Sequence, residues 1–304
     1  MQRDTAGGTG LTDPDSRLRL ERLLGTEVRE CRAVGGQHGV RHWRATVADG
    51  RTVFAKIAAD ARVAFADTRA GFEAEARGLR WLGEAGAVPV PEVLGWDEAA
   101  LVISWVPEEA PARQAAERFG RDLARLHAAG AGMFGAPWPG SLAALPLPND
   151  AGDSWPDWYG RQRLLPHARR ARDAGSLTSA DVRLIETVAA RAPDLAGPAE
   201  PPSRIHGDCW SGNVLWSGGR GWLIDPAAQG GHRETDLAML ALFGAPFLAR
   251  ILACYEEVAP LAAGWRDRVP LHQLHPLLVH VCLFGTAYRA SALDAARNAL
   301  ARVP

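Results

Sequence analysis

The part of this chain that most restricts its fold is a polar loop, residues 206–213, with the sequence His-Gly-Asp-Cys-Trp-Ser-Gly-Asn. Short apolar runs follow at 214–216 and 222–224, and the residues between them are Ser-Gly-Gly-Arg-Gly. Apolar runs joined by a glycine-rich turn predict a β-hairpin. Such a hairpin would return the next residue, Asp225, to the side of Asn213. The alternative interpretation of the loop is a polar turn without chemistry.

This arrangement of two carboxylates and one amide suits phosphoryl transfer. The reaction needs a carboxylate that orients and deprotonates the attacking hydroxyl, and oxygen ligands that hold Mg²⁺ on the phosphates of ATP. We predict that Asp208 is the catalytic carboxylate and that Asn213 and Asp225 are the metal ligands.

A single lysine supports the same chemistry from a distant part of the chain. Lys and Arg together number 34, yet Lys56 is the only lysine, and it lies in an apolar run at 52–57 that predicts a strand. A lysine ammonium is a compact charge with three rotatable donors, whereas arginine is a planar fork. In kinase-like folds a strand lysine contacts the nucleotide phosphates and pairs with a helix glutamate. The alternative is a strand-end lysine that extends to solvent.

The partner of Lys56 should come from the next helix, predicted over residues 68–86 from its apolar periodicity. Glu73 and Glu75 are two positions apart, so they point in nearly opposite directions on a helix and only one can face Lys56. We favour Glu75, because it lies four residues before Leu79 and therefore nearer the buried face. Glu73 is the alternative.

The order of predicted elements indicates two lobes of unequal character. We expect a loose tail at 1–14, a nucleotide-binding N-lobe at 15–106 and a C-lobe at 107–304 that holds the catalytic loop, metal and substrate. Gly35 and Gly36 lie in a turn that could cover the phosphates, and the backbone of Ser104 and Val106 could bind adenine. The fold class is therefore α+β and bilobal, protein-kinase-like, with a small β-sheet N-lobe carrying one helix and a larger, mainly helical C-lobe.

Composition excludes some partners. The formal net charge of −1 offers no electrostatic basis for binding nucleic acid or an anionic membrane. No leader peptide or membrane-spanning run is predicted. The four cysteines are scattered without metal-site spacing, so we expect reduced thiols and a cytoplasmic location. Cys209, inside the loop, is either a reactive thiol or a small packing residue.

The same residues resemble the fructosamine-3-kinase (ketosamine-3-kinase) family, which belongs to the aminoglycoside-phosphotransferase and choline-kinase branch of the kinase-like fold. The resemblance runs from about residue 35 to 288 and depends most on Trp-Ser-Gly at 210–212, Ile-Asp-Pro-Ala at 224–227 and Gly-His-Arg-Glu-Thr-Asp-Leu-Ala-Met at 231–239. One departure is Ala-Pro-Trp-Pro-Gly at 136–140, where relatives carry an Asp-Asn turn, and the adjoining loop could shape the choice of acceptor.

The resemblance implies that ATP and Mg²⁺ are used to phosphorylate the sugar 3-hydroxyl of a ketosamine, either a small glycated amine or a glycated protein lysine. The product then breaks down and restores the amine. The resemblance also implies that Trp210 is a wall for the sugar, with core packing as the alternative. Asp236 is interpreted as a helix N-cap that steadies the loop.

Two other functions stay open. An aminoglycoside or other small-alcohol phosphotransferase would favour an acidic C-lobe, but residues 229–304 contain six acidic and seven basic residues. A pseudokinase that binds nucleotide without catalysis is disfavoured, because Lys56, Asp208, Asn213 and Asp225 are all present.

The uniqueness of Lys56 generates a first prediction. We expect Lys56→Arg to lower the rate of phosphoryl transfer severalfold or more although it conserves charge, because a planar fork cannot take the place of a compact ammonium. Steady-state kinetics with ATP check this. Unchanged kinetics would remove the argument from the lone lysine.

Overall fold

The computed structural model describes residues 14–37, 39–59, 67–143 and 145–301. Apart from Pro14, the tail predicted for 1–14 lies outside these residues. The N-terminal part contains α1 Pro14–Leu24, β1 Val28–Gln37, β2 Val40–Val47, β3 Thr52–Ala58, α2 Asp67–Glu84, β4 Val93–Asp97 and β5 Ala100–Ser104. The division at residue 106 stays a prediction.

The five strands form one antiparallel sheet in the order β1-β2-β3-β5-β4. β3 is buried on both faces, because α1 covers one and α2 the other. Alternation along β3 sends Val53 and Ala55 toward α1 and Phe54 toward α2. Lys56, two residues after Phe54, therefore faces α2.

The remainder is mainly helical, as the sequence predicts. Its helices are α3 Arg113–Ala128, α4 Trp155–Tyr159, α5 Leu165–Asp173, α6 Ser179–Leu195, α7 Glu234–Leu242, α8 Leu248–Val258, α9 Trp265–Phe284 and α10 Arg289–Leu300. A π-helical turn, Gly160–Leu164, joins α4 to α5. One apolar core lies among α4, α5, α6, α9 and α10, and another lies between α3, α8 and the strands that follow the catalytic loop.

Three short strand pairs lie in this second part. They are β6 Gly140–Leu142 with β7 Leu145–Leu147, β8 Ser203–Ile205 with β11 Gln229–Gly231, and β9 Val214–Ser217 with β10 Arg220–Leu223. Leu215 pairs with Trp222, so the hairpin predicted after the catalytic loop is confirmed. The segment at 130–153 is rich in Pro and Gly, which predicts a long loop, but the structure has the hairpin β6–β7 within it.

Two further boundaries differ from the prediction. Gly35 and Gly36 lie at the end of β1 beside an irregularity in its pairing with β2, rather than within the turn itself, and residue 38 of that turn is outside the described residues. The sequence predicts a helix over 270–302, but the structure has two helices there, because Gly285 adopts a positive φ of 69° that ends α9.

Length and composition alone would allow one helical stretch, Trp265–Leu300, to cross a membrane; its mean hydropathy reaches 1.2. In the structure this stretch is α9 and α10, divided at Gly285, and it contributes to the core shared with α5 and α6. The prediction of no membrane partner stays a prediction.

The contact between α3 and α8 provides a stability test. A Cβ at Gly120 would lie 2.2 Å from the carbonyl oxygen of Ile251, so Gly120→Ala should force the helices apart. We expect a loss of about 1–3 kcal/mol in the free energy of unfolding, measured by urea denaturation. Gly71→Ala in α2 is the matched helical control, because its Cβ meets only Ser141 Oγ at 3.5 Å. Equal stability of the two variants would contradict this packing.

Candidate active site

Lys56 is the centre of a buried group of charges. Its Nζ lies 2.7 Å from Glu75 Oε2 and 2.8 Å from Asp225 Oδ1. The three residues come from β3, from α2 and from the segment after β10. Of the two glutamates that the sequence left open, Glu75 faces Lys56, whereas Glu73 pairs with Arg77 on the outer side of α2 at 2.7 Å.

The charges in this group shift one another's pKa. Burial opposes the charge of Lys56, but the carboxylates of Asp225 and Glu75 outweigh it and raise the pKa of the lysine. Burial likewise opposes ionisation of Asp225, but the adjacent Lys56 lowers the pKa of that carboxyl well below its usual range. Burial raises the pKa of Glu75. Lys56 is therefore a cation and Asp225 an anion at neutral pH.

Asp208 and Asn213 face each other across the catalytic loop. The Asn213 Nδ2 donates to Asp208 Oδ2 at 2.9 Å and to the Asp208 carbonyl oxygen at 3.0 Å, which turns Oδ1 of Asn213 away from Asp208. Burial, together with the charge of Asp225, raises the pKa of Asp208 to about 7. A carboxylate with this pKa accepts a proton far more readily near neutral pH than an ordinary aspartate.

His206 fixes the shape of the loop. Its Nδ1 accepts a hydrogen bond from the backbone N–H of Asp208 at 3.2 Å, and its Nε2 lies 2.9 Å from the carbonyl oxygen of Ile224. Since a backbone carbonyl only accepts, Nε2 carries the proton and the imidazole is neutral. Burial lowers the pKa of His206, in agreement with this state. One side chain thus joins the strand before Asp225 to the catalytic loop.

Asp236 holds the same loop through its backbone N–H groups. Its carboxylate accepts hydrogen bonds from the backbone N–H groups of His206 at 2.7 Å and Gly207 at 2.9 Å. The predicted role of Asp236 in steadying the loop is therefore confirmed, but the prediction of an N-cap is wrong, because α7 begins at Glu234 and places Asp236 inside its first turn. The carboxylate is directed to the loop rather than to the helix's own N–H groups.

Sequence reasoning missed the residues that orient Asp236. His127 Nε2 lies 3.2 Å from Asp236 Oδ2, and His127 Nδ1 lies 2.8 Å from the hydroxyl of Tyr255. Because a carboxylate only accepts, the Nε2 N–H of His127 donates to Asp236. From its place near the end of α3, the sequence predicts that His127 is a packing or capping residue. The Leu-His pair at 126–127, which resembles a pair in the fructosamine-3-kinase family, was the available signal.

Glycine permits two close approaches in the loop. Gly207 has a φ of 80°, and a Cβ there would lie 2.2 Å from the Ala227 carbonyl oxygen. A Cβ at Gly212 would lie 2.2 Å from the indole of Trp210, so the Trp210 ring folds over this glycine. Trp210 is partly exposed and its ring meets Phe243 edge-on at 6.0 Å. Its role as a sugar wall stays a prediction.

The remaining predicted residues lie around the sheet. Ser104 ends β5, and its Oγ accepts from the Glu92 N–H at 2.9 Å. Val106 is buried against Leu215 and Ile224, so the strand-to-helix linker rests on the β9–β10 hairpin. Gly36 allows β2 to approach β1, since a Cβ would lie 2.6 Å from the carbonyl oxygen of Val40. Contacts of Gly35, Gly36, Ser104 and Val106 with a nucleotide stay predictions.

The donor set fits a magnesium ion. Carboxylate and amide oxygens are the ligands that Mg²⁺ takes in proteins. Asp208, Asp225 and Glu75 supply three partly buried carboxyl groups beside the single ammonium of Lys56. Burial and, after it, the charge of Asp225 raise the pKa of Asp208, and a divalent cation would offset the repulsion between these two carboxylates. Asn213 and Asp225 are the residues that would hold it.

A second cluster of possible ligands is better explained as an ion pair. His232, Glu234 and His272 are buried with ligand atoms within 4.8 Å of one another. However, Arg268 donates to both Glu234 oxygens, at 2.6 and 2.9 Å. His232 Nδ1 accepts from the Glu234 N–H, which leaves its proton on Nε2, where a metal would need a lone pair.

Cys209 packs in the core beneath the loop. It is fully buried, and burial raises the pKa of its thiol. Reactive cysteines are partly exposed and have a lowered pKa. The interpretation as a packing residue therefore fits this structure better than that of a reactive thiol.

Comparison with known proteins places this site in a family. The model of the fructosamine kinase family matches residues 17–302. A protein of Synechocystis named as a probable ketoamine kinase is 34% identical over 239 residues, which cover 75% of this chain and 78% of that protein. A similarly named protein of Thermus thermophilus is 36% identical over 217 residues, covering 71% and 78%.

Solved structures give the same relationship. The crystal structure of a candidate fructosamine-3-kinase from Thermobifida fusca superposes with a TM-score of 0.91 and 51% identity, over 95% of this chain and 100% of that one. An aminoglycoside phosphotransferase, solved with streptomycin and ATP, superposes with a TM-score of 0.64 at 14% identity, which is a likeness of fold alone. The predicted protein-kinase-like fold is confirmed.

The raised pKa of Asp208 predicts a stabilising substitution. The unfolded chain loses the Asp208 proton near pH 4, whereas the folded protein keeps it until about pH 7, so ionisation destabilises the fold increasingly through this interval. In the absence of magnesium, we expect Asp208→Asn to raise the free energy of unfolding by about 2 kcal/mol or more at pH 8. The gain should shrink toward pH 5, as measured by denaturant titration.

Asp181→Asn is the control of opposite sign. Hydrogen bonds from Arg289 lower the pKa of Asp181 to about 2, so its ionised form stabilises the fold at every pH above its unfolded value. This variant should be less stable than the wild type at pH 8. A pH-independent effect of Asp208→Asn would contradict the assigned electrostatics.

Proposed function

Since the chain belongs to the fructosamine kinase family, we propose that it is an ATP- and Mg²⁺-dependent kinase that phosphorylates the sugar 3-hydroxyl of ketosamines. The observation that carries this proposal is the juxtaposition of Asp208 and Asn213 with the buried Lys56–Glu75–Asp225 group. The family supports the ketoamine acceptor, whereas the site geometry supports the phosphoryl transfer.

Each residue has a task in this reaction that follows from its chemistry. Asp208 orients the acceptor hydroxyl and accepts its proton, which its pKa of about 7 favours. Lys56 contacts the nucleotide phosphates, and Glu75 fixes the direction of its ammonium. Bound magnesium, held by Asn213 and Asp225, would neutralise charge on the transferring phosphate. His206 and Asp236 keep the Asp208 backbone in place.

The acceptor side of the site is partly aromatic. Trp210 lies two residues from Asp208 and contacts Phe243, whose ring is 40% exposed. A sugar ring packs its C–H face on such surfaces while its hydroxyls stay available for hydrogen bonds. We propose that glycated small amines and glycated protein lysines bind here, and that loss of the phosphorylated sugar restores the amine.

An acceptor screen tests the proposal. ATP consumption should be stimulated by fructosamines, ribulosamines or erythrulosamines, and the phosphate should be located at the 3-hydroxyl by NMR of the product. Stimulation by aminoglycosides alone would instead assign the chain to the other branch of the fold. ATP binding without any turnover would favour a pseudokinase.

Asp208→Asn provides the matched control for this screen. Loss of the base should lower kcat by about 10²-fold or more, while the nucleotide still binds through Lys56 and the metal ligands. Binding is measured by calorimetry with Mg–ADP. A variant with near-wild-type turnover would show that Asp208 is not the catalytic carboxylate.

A further inference from the structure

Arg163 is a buried cation, and the hydrogen bonds that its guanidinium donates to the described residues all go to neutral oxygens. It is 1% exposed and lies in the π-helical turn between α4 and α5. Among the described residues, its two terminal nitrogens donate to the carbonyl oxygens of Pro148 and Gln162 and to the amide oxygens of Asn149 and Gln229. Burial of a guanidinium without a carboxylate is costly, so a structural task should explain its presence.

The local structure prepares Arg163 for such a task. Its guanidinium lies over the ring of Trp158, 4.3 Å from the centroid, which limits its rotation. π-Helical turns are rare and occur frequently at functional sites. The guanidinium of Arg163 is therefore held in one orientation, in which its two terminal nitrogens reach oxygens from different parts of the chain.

On one side, Arg163 holds the base of the β6–β7 hairpin. Pro148 and Asn149 directly follow β7, and the hairpin they end packs on α2, the helix that carries Glu75. Trp138, just before β6, meets Trp81 of α2 edge-on at 5.7 Å. A shift of the hairpin would therefore also shift α2.

On the other side, Arg163 holds Gln229, which lies four residues after Asp225 and begins β11. The segment between them packs on α2 as well, since a Cβ at Gly78 would lie 3.1 Å from Ala228 Cβ and 3.3 Å from Pro226 Cγ. Next to Gln229, Gly230 exchanges two backbone hydrogen bonds with Gly135, at 2.8 and 2.9 Å. The hairpin loop and the Asp225 segment therefore meet at Arg163.

We propose that Arg163 is a positioning residue that sets α2 and the Asp225 segment for binding of the magnesium nucleotide. It acts through Asn149 and Gln229 and does not touch the nucleotide. The proposal rests on the proposed function only in its assumption that Lys56, Glu75 and Asp225 bind the nucleotide phosphates and metal. A residue that merely filled the core would affect stability without changing nucleotide affinity.

The experiment compares Arg163→Met and Arg163→Lys with the wild type, using calorimetric affinity for Mg–ADP and amide hydrogen exchange of the ligand-free protein. We expect nucleotide affinity to fall roughly tenfold, as for other residues that orient metal ligands indirectly. Exchange should rise along α2 as well as in residues 136–150. The lysine should fail like the methionine, because one ammonium cannot replace two terminal nitrogens, of which Nη1 bonds Pro148 while Nη2 bonds Asn149 and Gln229.

Arg289→Met is the control variant. Arg289 makes a bidentate hydrogen bond to Asp181 of α6. Because α6 packs mainly on α4, α5 and α10 rather than on α2 or β11, loss of this bond should lower stability without changing nucleotide affinity. Each variant is measured at the same interval below its own Tm. If Arg163→Met does not fold, Asn149→Ala takes its place. This variant removes one of the acceptors of the Arg163 guanidinium, so a smaller effect in the same direction is expected.

The outcomes separate the proposals. Unchanged nucleotide affinity and unchanged α2 exchange in the Arg163 variants, or an equal change in Arg289→Met, would overturn the positioning role. Full recovery in Arg163→Lys would overturn the requirement for a fork. Neither measurement uses an acceptor, so a negative acceptor screen would overturn the proposed function alone. A wild-type protein that binds no magnesium nucleotide would overturn both.

Discussion

The ammonium of Lys56 joins three parts of the chain that are distant in sequence. It lies on the α2 face of β3 and contacts Glu75 of α2 and Asp225 beyond the β9–β10 hairpin. Each carboxylate is largely withdrawn from solvent, with 12% and 18% of its side chain exposed, and such a charge is stable only with a partner. The sheet, α2 and the hairpin must therefore all take their places before this group is satisfied. The arrangement of the proposed nucleotide site follows from that condition.

The group contains more negative than positive charge, and its chemistry depends on this imbalance. Asp225 stays ionised beside Lys56, and its charge together with burial raises the pKa of Asp208 to about 7. The protein stabilises the loop against this repulsion by a separate network, in which Asp236 accepts two backbone N–H groups and is itself oriented by His127. Such a concentration of carboxylates around one ammonium is suited to bind a cation.

α2 is the element on which the other parts converge. Gly78 lets it approach the segment after Asp225, and Trp81 packs against Trp138 on one side and beneath the guanidinium of Arg204 on the other. Arg204 belongs to β8, which leads directly into the catalytic loop. The position of α2 therefore depends on the catalytic loop, on the segment after Asp225 and on the β6–β7 hairpin.

Local patterns in the sequence determined the chemistry and most of the fold: the spacing from His206 to Asn213, the hairpin that returns Asp225, the lone Lys56 and the strand and helix periods. Helical periodicity favoured Glu75 over Glu73, and the structure shows Glu75 beside Lys56. Tertiary structure alone decided that Asp236 reaches the loop from inside α7 instead of capping it, and that Arg163 binds two distant segments. Periodicity fixes which face of an element is buried, but a pair of side chains meets only where two elements pack, and that depends on the whole chain.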